Sequence, residues 1–470
     1  MHKASTQVFV VGFLAFCGPG LFNALSGLGG AGSDDPKVGA IMNSTLYAMF
    51  TIVGYFSGVF FNMLGPKPLF LFGGFTFAIY AVCAFFSDKG LWVGAIGGCI
   101  LGIGAGLFWT AQGALMMAYS TPNEKGAFIR NFWIVFNLGG VFGGILSMAL
   151  NWSNEGGGAN PASYFTFIAL MILGSISSVF LLVEPSKVIK SDGSTVIFEK
   201  ATGAKEEIVA AAKAIMDPFV IKMLLFFFTS TWFYTYEFNG YNNMLFNVRT
   251  RGLNSGLFWG SEMIGATLTG FITDKKGWTM RKRGVCAFIW NLVALTIAWG
   301  AAFVVNFTVT CGTGAGKGWD KDEPGCEIDV KEGRFFGVAV VFMLMGFQDA
   351  VFQSFCYWLM SAAAGNSITR NVKYAACYKG IQSLGATVSW GTDLIAAFKY
   401  EQQLFVGTAL YFVASMPTYF ALDHIIESEE EDKHESEEKH NADEEPHHDT
   451  SSESSSEEDE TSTSISISEA

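Results

Sequence analysis

Apolar stretches long enough to cross a bilayer alternate with short polar stretches along most of this chain. A bilayer core about 30 Å thick needs roughly 20 apolar residues per spanning helix. Lipid offers no hydrogen-bond partner to the backbone, so each span must bond internally as a helix. The pattern predicts an all-α membrane protein with twelve transmembrane helices, six on each side of a charged segment. We place them at 6–29, 38–61, 67–86, 91–119, 128–150, 162–183, 219–241, 253–273, 284–305, 334–358, 373–397 and 403–422.

The polar stretches divide the chain into four parts. The prediction is an N-terminal six-helix half at 1–183, a cytoplasmic linker at 184–218, a C-terminal six-helix half at 219–422 and a tail at 423–470. The whole chain carries a net charge of −13, and the tail alone holds 19 Asp and Glu against 2 Lys. The acidity therefore belongs to the tail, which has no apolar periodicity and is expected to be disordered.

The distribution of Lys and Arg predicts the orientation, because these residues accumulate on the cytoplasmic side of membranes. With both termini cytoplasmic, 20 of the 29 basic residues fall on that side. The sequence does not distinguish the plasma membrane from an endomembrane. Candidate glycosylation sequons begin at Asn43, Asn151 and Asn306, on the opposite side. Cys311 and Cys326 share a polar loop on that same side, where they form either a disulfide or two free thiols.

Two sequence matches indicate that the halves are copies of one unit. The pattern Gly-x-x-x-Asn-x-x-Gly at 58–65 recurs as Gly-x-x-x-Asp-x-x-Gly at 270–277. An Arg-Asn pair also opens the fifth helix at 130–131 and the eleventh at 370–371. Six helices separate equivalent elements, so both copies keep one orientation, which is the parallel-repeat arrangement of some transporters.

The turn after the eighth helix contains Gly270, Asp274, Gly277 and Arg281. It resembles the cytoplasmic loop signature of the major facilitator superfamily. The resemblance implies that this turn latches the two halves on the cytoplasmic side. In the first-half copy Asn62 replaces the acid, which puts a latch there in doubt. The alternative is a tight basic turn that needs only its glycines and the positive-inside bias.

A narrower resemblance rests on the fourth and fifth helices. Residues 102–109 read Gly-Ile-Gly-Ala-Gly-Leu-Phe-Trp, and residues 132–140 read Phe-Trp-Ile-Val-Phe-Asn-Leu-Gly-Gly. Over 5–422 the chain is similar to the uncoordinated-93-like branch of that superfamily, particularly its fungal members. Some members of that branch regulate ion channels or escort receptors. The resemblance implies either a secondary transporter or a non-transporting regulator or trafficking scaffold of another membrane protein.

Charged side chains within predicted helices are costly in lipid, so each is a candidate functional residue. Asp349 lies near the middle of the tenth helix, beside Gln348 and one turn from Gln353. Lys379, on the eleventh helix, could neutralise it across facing helices. Asp349 then either carries a coupling proton or pairs with a cationic solute. The alternative is a static buried pair that holds helices together.

Five other residues complete the candidate substrate and coupling site. Glu262 is mid-helix, but its small neighbours also fit a helix-packing seam. Glu237 lies beside an Asn-Gly break that could unwind the seventh helix, or it faces water at the membrane surface. Trp109, Gln112 and Asn137 could line a polar cavity with the glutamines near Asp349, although core or lipid packing also explains Trp109.

Several chemistries are missing from the sequence. All six His lie outside the predicted helices, at 2, 424, 434, 440, 447 and 448. The chain has no Walker phosphate loop and no nucleophile elbow. We therefore expect no enzyme activity, no cofactor, no metal site and no nucleic-acid binding. The expected partners are the lipid bilayer, an unknown small polar solute or ion, and another membrane protein in the scaffold interpretation.

Overall fold

The computed structural model describes residues 1–119, 125–154, 158–195, 209, 213–309, 326–365 and 368–426. Those residues are helical and contain isolated β-bridges but no β-strand. The helices are α1 Ala4–Gly27, α2 Pro36–Leu64, α3 Pro66–Phe85, α4 Leu91–Tyr119, α5 Lys125–Leu150, α6 Pro161–Leu181, α7 (Pro218–Thr229, Thr235–Asn242 and Asn243–Leu245), α8 Val248–Thr273, α9 Met280–Thr308, α10 Phe335–Ala364, α11 Ile368–Thr392 and α12 Tyr400–Ala421.

Within the described ranges, eight helical segments are long and apolar enough to cross a membrane. They belong to α1, α3, α4, α5, α6, α9, α10 and α12. The helices outside this set include the interrupted α7 and the more polar α8 and α11, which carry Arg251 and Lys379. The finding supports a multi-pass membrane protein, and the count of twelve spans stays a prediction.

The eleventh helix differs most from its predicted bounds. Apolar residues continue past Thr392, so the sequence predicted an end near 397, but α11 ends at Thr392. The next residues form successive turns, with the N–H groups of Asp393, Leu394 and Ile395 bonded three residues back. The start moves as well, from the predicted 373 to Ile368.

The same helix pairings recur six helices apart. In the first half α2 packs on α4, α3 on α4 and α1 on α5. In the second half α8 packs on α10, α9 on α10 and α7 on α11. Between the halves, α5 packs on α8 and α11 packs on α2. Moving each helix number by six turns the first of these contacts into the second. The interface between the halves is therefore built from equivalent helices.

Helices α1 and α7 each contain a π-helical turn. In α1 it spans Phe16–Gly20 and includes Pro19, which lacks the N–H that an α-helical bond would use. In α7 it spans Thr235–Asn242. Such turns are often found at functional sites. Here they occur in the two helices that the pairing pattern makes equivalent.

Glycines on α4 allow α2 to approach closely. A Cβ atom at Gly102 would overlap the carbonyl oxygen of Leu46, and one at Gly98 would overlap that of Met42. On the same helix, a Cβ at Gly113 would meet no atom of the described residues within 4 Å. The glycines near the start of α4 therefore set the distance between two helix backbones.

Replacing Gly102 by alanine should destabilise the protein by about 1–3 kcal/mol, because the added methyl group forces α2 and α4 apart. The matched control is Gly113→Ala, which should be neutral or stabilising by up to about 1 kcal/mol, the helix propensity gain. Thermal unfolding in detergent, followed by tryptophan fluorescence, compares them. Equal shifts for both variants would contradict the close approach.

Candidate functional site

A buried pair of carboxyl groups lies between α8 and α10. Asp349 is fully buried and accepts hydrogen bonds from Tyr234 Oη at 2.7 Å and Gln353 Nε2 at 2.8 Å. The packing of α8 on α10 places the buried Glu262 side chain next to the Asp349 carboxyl group. Two buried carboxyl groups in close proximity repel each other when both are ionised, which favours a proton on one of them. Asp349 and Glu262, termed the acid pair, thus form a site for one proton.

The first half of the chain also reaches the acid pair. Asn137 of α5 is buried next to Glu262, across the contact between α5 and α8. Tyr47 of α2 lies close enough for the charge of Asp349 to act on it. The acid pair is therefore held at the interface of the two halves, not within one of them.

Amide and hydroxyl groups extend the site from Asp349 to α11. Gln353 Oε1 lies 3.4 Å from Gln382 Nε2, which also donates to Ser230 Oγ at 3.0 Å. Lys379 Nζ donates to Gln382 Oε1 at 2.8 Å and lies 5.3 Å from the ring centre of Tyr378. Among the described residues Lys379 and Asp349 form no ion pair, because the ammonium group of Lys379 donates to Gln382 instead.

Glu237 is fully buried in the π turn of α7. Neither of its carboxyl oxygens has a hydrogen-bond partner among the residues described. The interpretation that Glu237 faces water at the surface is wrong for this arrangement. The amide of Gln348 is likewise buried without a partner in those residues, although Gln348 is next to Asp349 in sequence.

Trp109 belongs to an aromatic cluster of the first half. Its ring centre lies 5.4 Å from that of Phe136 and 6.4 Å from that of Phe132. This favours core packing, one of the two interpretations of Trp109. Gln112 is half-buried one turn further along α4. The structure thus unites Asn137, Gln353 and the two acids, and leaves Trp109 in its own cluster.

One end of the bundle, termed the far end, lies opposite the turn between α8 and α9. Helices α1, α7 and α11 end there, and α2, α8 and α12 begin there. Asn239, in the π turn of α7, joins both halves there. Its Oδ1 accepts from the N–H of Gly30 at 2.8 Å, and its Nδ2 donates to the carbonyl of Pro36 at 3.0 Å and to Asp393 Oδ2 at 2.7 Å. Asn242 adds a bond to the carbonyl of Gly27 at 2.6 Å. These contacts are termed the far-end seal.

Arg249 forms a second link at the far end. Its Nη1 donates to the carbonyl of Trp152, which follows α5, at 2.7 Å, and its Nε donates to Asp329 at 2.7 Å. Asp329 also accepts from Asn247 at 2.6 Å. Burial acts to raise the pKa of Asp329, but the N–H of Lys331 and the side chains of Asn247 and Arg249 hold it below its usual value. Arg249 therefore ties the first half to the segment before α10.

The predicted cytoplasmic gate lies at the turn between α8 and α9. Gly277 has a φ of +77°, which favours glycine, and the N–H of Asp274 bonds to the carbonyl of Gly270 at 2.9 Å. Arg281 donates to Asp423 Oδ1 at 2.8 Å, beyond α12. An Asp274–Arg281 ion pair is not among those of the described residues, and the gate role stays a prediction.

The chain just after α12 is anchored to its own half. Besides the Arg281–Asp423 ion pair, His424 Nε2 lies 2.9 Å from Lys222 Nζ at the start of α7. The N–H of Ile426 donates to the carbonyl of Ala362 in α10 at 3.2 Å. The predicted disordered tail lies outside the described residues beyond this point.

The three sequons occupy buried positions. Asn43 accepts from Tyr80 Oη at 3.0 Å, Asn306 is 7% exposed, and Asn151 donates to the Ser163 hydroxyl at 2.8 Å. A glycan needs an accessible amide, so this burial argues against the glycosylation considered from sequence. Cys326 is disulfide-bonded. Its predicted partner, Cys311, lies outside the described residues, so their pairing stays a prediction.

Several site residues escaped the sequence analysis, namely Tyr234, Gln382, Ser230, Tyr47 and Asn239. Tyrosine, glutamine and serine are common in helices, so none of them stands out alone. One signal was available, since Gln382 follows Lys379 by one helical turn and offers it an acceptor. In the sequence Asn239 is only part of an Asn-Gly break in α7, and its bonds to the first half depend on tertiary structure.

The fold of paired helices in two halves is similar to that of solved membrane transporters. The structure of the xylose transporter XylE from E. coli, in a partially occluded inward open conformation, matches with a TM-score of 0.60 and 12% identity. The match covers 90% of this chain and 99% of that chain. The class is therefore a multi-pass membrane protein of the major facilitator fold.

Sequence comparison identifies the family. Residues 32–299 match the family described as ion channel regulatory protein UNC-93. UNC93-like protein 1 of Arabidopsis thaliana is 35% identical over 393 residues, covering 82% of this chain and 83% of the relative. An UNC93-like protein of Schizosaccharomyces pombe is 33% identical over 401 residues, covering 84% and 77%. The chain belongs to the UNC-93 family.

Proposed function

We propose that this protein is a secondary transporter that couples the movement of a small polar solute or ion to a proton. It crosses the membrane twelve times, in two six-helix halves with both termini cytoplasmic, followed by an acidic disordered tail. The recurring helix pairings and the paired π turns support two equivalent halves. Equivalent halves that contact each other through α5–α8 and α2–α11 can rock about a shared midplane site.

The observation that carries this proposal is the acid pair at the interface between the halves. A purely structural core gains little from two buried carboxyl groups, because desolvation penalises each of them. In this proposal the pair keeps one proton between Asp349 and Glu262, and Asn137 of the opposite half lies next to Glu262. Movement of the first half would therefore change the surroundings of the residue that holds the proton.

The coupling follows from this geometry. With Asn137 in place, Glu262 is oriented toward Asp349, and Tyr234 and Gln353 stabilise the Asp349 carboxyl. When the halves part, Asn137 leaves Glu262, water enters, and the shared proton can pass to that water. Lys379 and Gln382 lie next to the site on α11 and would orient a polar solute that enters with the water.

Reconstitution tests the proposal. The purified protein is placed in liposomes that contain a pH-sensitive dye, and a panel of sugars, nucleosides, amino acids and inorganic ions is added outside. We expect at least one solute to change the internal pH, and liposomes without protein to show no change. If labelled solutes cross without any proton movement, the coupling is wrong. If none crosses, transport itself is unsupported for that panel.

A second candidate function is regulation of an ion channel, which the description of the matched family favours. In that case the protein would bind another membrane protein and need no solute. To test regulation, the protein is co-expressed with candidate channels, and the channel current is recorded from membrane patches. A change of channel current that survives Asp349→Asn would favour regulation over transport.

A further inference from the structure

Two side chains with different surroundings share the π turn of α7. Asn239 carries the far-end seal, with bonds to Gly30, Pro36 and Asp393. Glu237, two residues earlier, is fully buried and has no hydrogen-bond partner among the residues described. Because both belong to one turn, a change in that turn moves them together.

The charged groups around Glu237 oppose a charge on it. Asp349 of α10 and Glu262 of α8 both act on its carboxyl group electrostatically, and both are acids. Among the described residues, the other titratable neighbours are Tyr236 on the same turn and Tyr411 of α12. An ionised Glu237 would therefore be desolvated, unbonded and repelled, whereas a protonated one would be tolerated. The sealed arrangement suits a neutral Glu237.

We infer that Glu237 is a second proton-binding residue, and that its charge decides whether the far-end seal holds. Protonated Glu237 stays buried and Asn239 keeps its bonds to the first half. Ionised Glu237 requires water, which reaches it when Asn239 parts from Gly30 and Pro36. The proton passes from the carboxyl group to that water, and no other reactant is needed.

The π turn supplies the movement. Its hydrogen bonds reach back five residues instead of four, so a return to α-helical bonding would rotate the side chains within and after the turn, by up to about 100°. Such a rotation would withdraw Asn239 from its three partners. The equivalent π turn of α1, Phe16–Gly20, contains no carboxyl group. The switch therefore belongs to the second half alone.

This inference goes beyond the proposed function, since it concerns opening of the far end and not the acid pair. A direct measurement is the distance between the halves at that end. The full chain is placed in lipid nanodiscs. Non-natural amino acids that bear a ketone group replace the exposed residues Asp88 and Leu394, and a spin label is attached to each ketone. Pulsed electron paramagnetic resonance spectroscopy then measures the distance between the two labels. The distance distribution gives the populations of sealed and open forms at several pH values.

We expect the open-to-sealed ratio of the wild type to rise with pH, by up to about tenfold per pH unit for one proton. Glu237→Gln should stay sealed and lose the part of the slope that Glu237 contributes. Asn239→Ala should be more open at every pH but keep the slope of the wild type. The double variant should be open and have the reduced slope of Glu237→Gln. The control, Glu401→Gln, changes an exposed carboxyl and should match the wild type.

A slope in Glu237→Gln equal to that of the wild type would overturn the inference, as would a wild type without pH dependence. If Glu237→Gln does not fold, Glu237→Asp is measured in its place. A pH midpoint of opening that is unchanged from the wild type would then overturn the inference. The proposed function is tested separately. Asp349→Asn should lose proton-coupled uptake but keep the part of the slope that depends on Glu237. A Glu237-dependent slope without any uptake would support the inference and not the transport.

Discussion

Replacing Asp349 by asparagine should lower proton movement coupled to solute uptake by about 100-fold or more, the usual effect of removing a positioned proton-transfer group. Asparagine keeps the size of the side chain and an oxygen that can accept from Tyr234, so the helices around it should remain in place. It cannot release a proton. Uptake of labelled solute and internal pH are recorded in the same liposomes.

Two comparisons make this result specific. Glu262→Gln removes the other member of the acid pair and should lose coupling as well, because the shared proton needs both carboxyl groups. Glu401→Gln removes an exposed carboxyl at the start of α12 and should leave coupling unchanged. Unchanged coupling in Asp349→Asn would show that the acid pair is structural and would remove the main support for proton transport.

Replacing Arg249 by alanine should destabilise the protein by about 3–5 kcal/mol, because it leaves the partly buried carboxylate of Asp329 without its ion pair. It also removes the bond to the carbonyl of Trp152, which joins the two halves. Arg334→Ala is the control, since that Arg is about half exposed and pairs with Glu332 at the surface. Its expected cost is about 0–1 kcal/mol.

Acid should reduce the difference between Arg249→Ala and the wild type. The pKa of Asp329 is held below its usual value in the folded chain, so its contribution to stability is fully present above the unfolded pKa of about 3.9. That contribution disappears as the pH falls through the lower, folded pKa. Thermal unfolding at neutral and at acidic pH measures it. A difference that does not shrink in acid would show that Asp329 is not the partner that matters.

The sequence was sufficient to predict the helical class and the acids of the site. Asp349 and Glu262 stand out because charge is rare within apolar stretches, and length and apolar composition located most helices within a few residues. The family was predicted from the signature turn at 270–281 and the residues of α4 and α5. These features are local, so they can be found without knowledge of the fold.

What could not be predicted depends on contacts between distant segments. The sequence indicates that Lys379 could neutralise Asp349, but the Lys379 ammonium group donates to Gln382 on the same helix. Glu237 was weighed as a surface residue, because nothing in the sequence reveals that α7 continues through a buried π turn. The end of α11 was misplaced since apolar residues continue beyond Thr392, where Asp393 turns to bond with Asn239 and Gln403.

The anchored residues after α12 determine where the chain can be shortened. A protein that ends after Ile426 retains the bonds of Asp423 to Arg281, of His424 to Lys222 and of Ile426 to Ala362. One that ends at Ala421 removes all three, and any loss of activity would then report a damaged helical body. Deletion experiments that assign a role to the acidic tail are therefore interpretable only when the cut falls after Ile426.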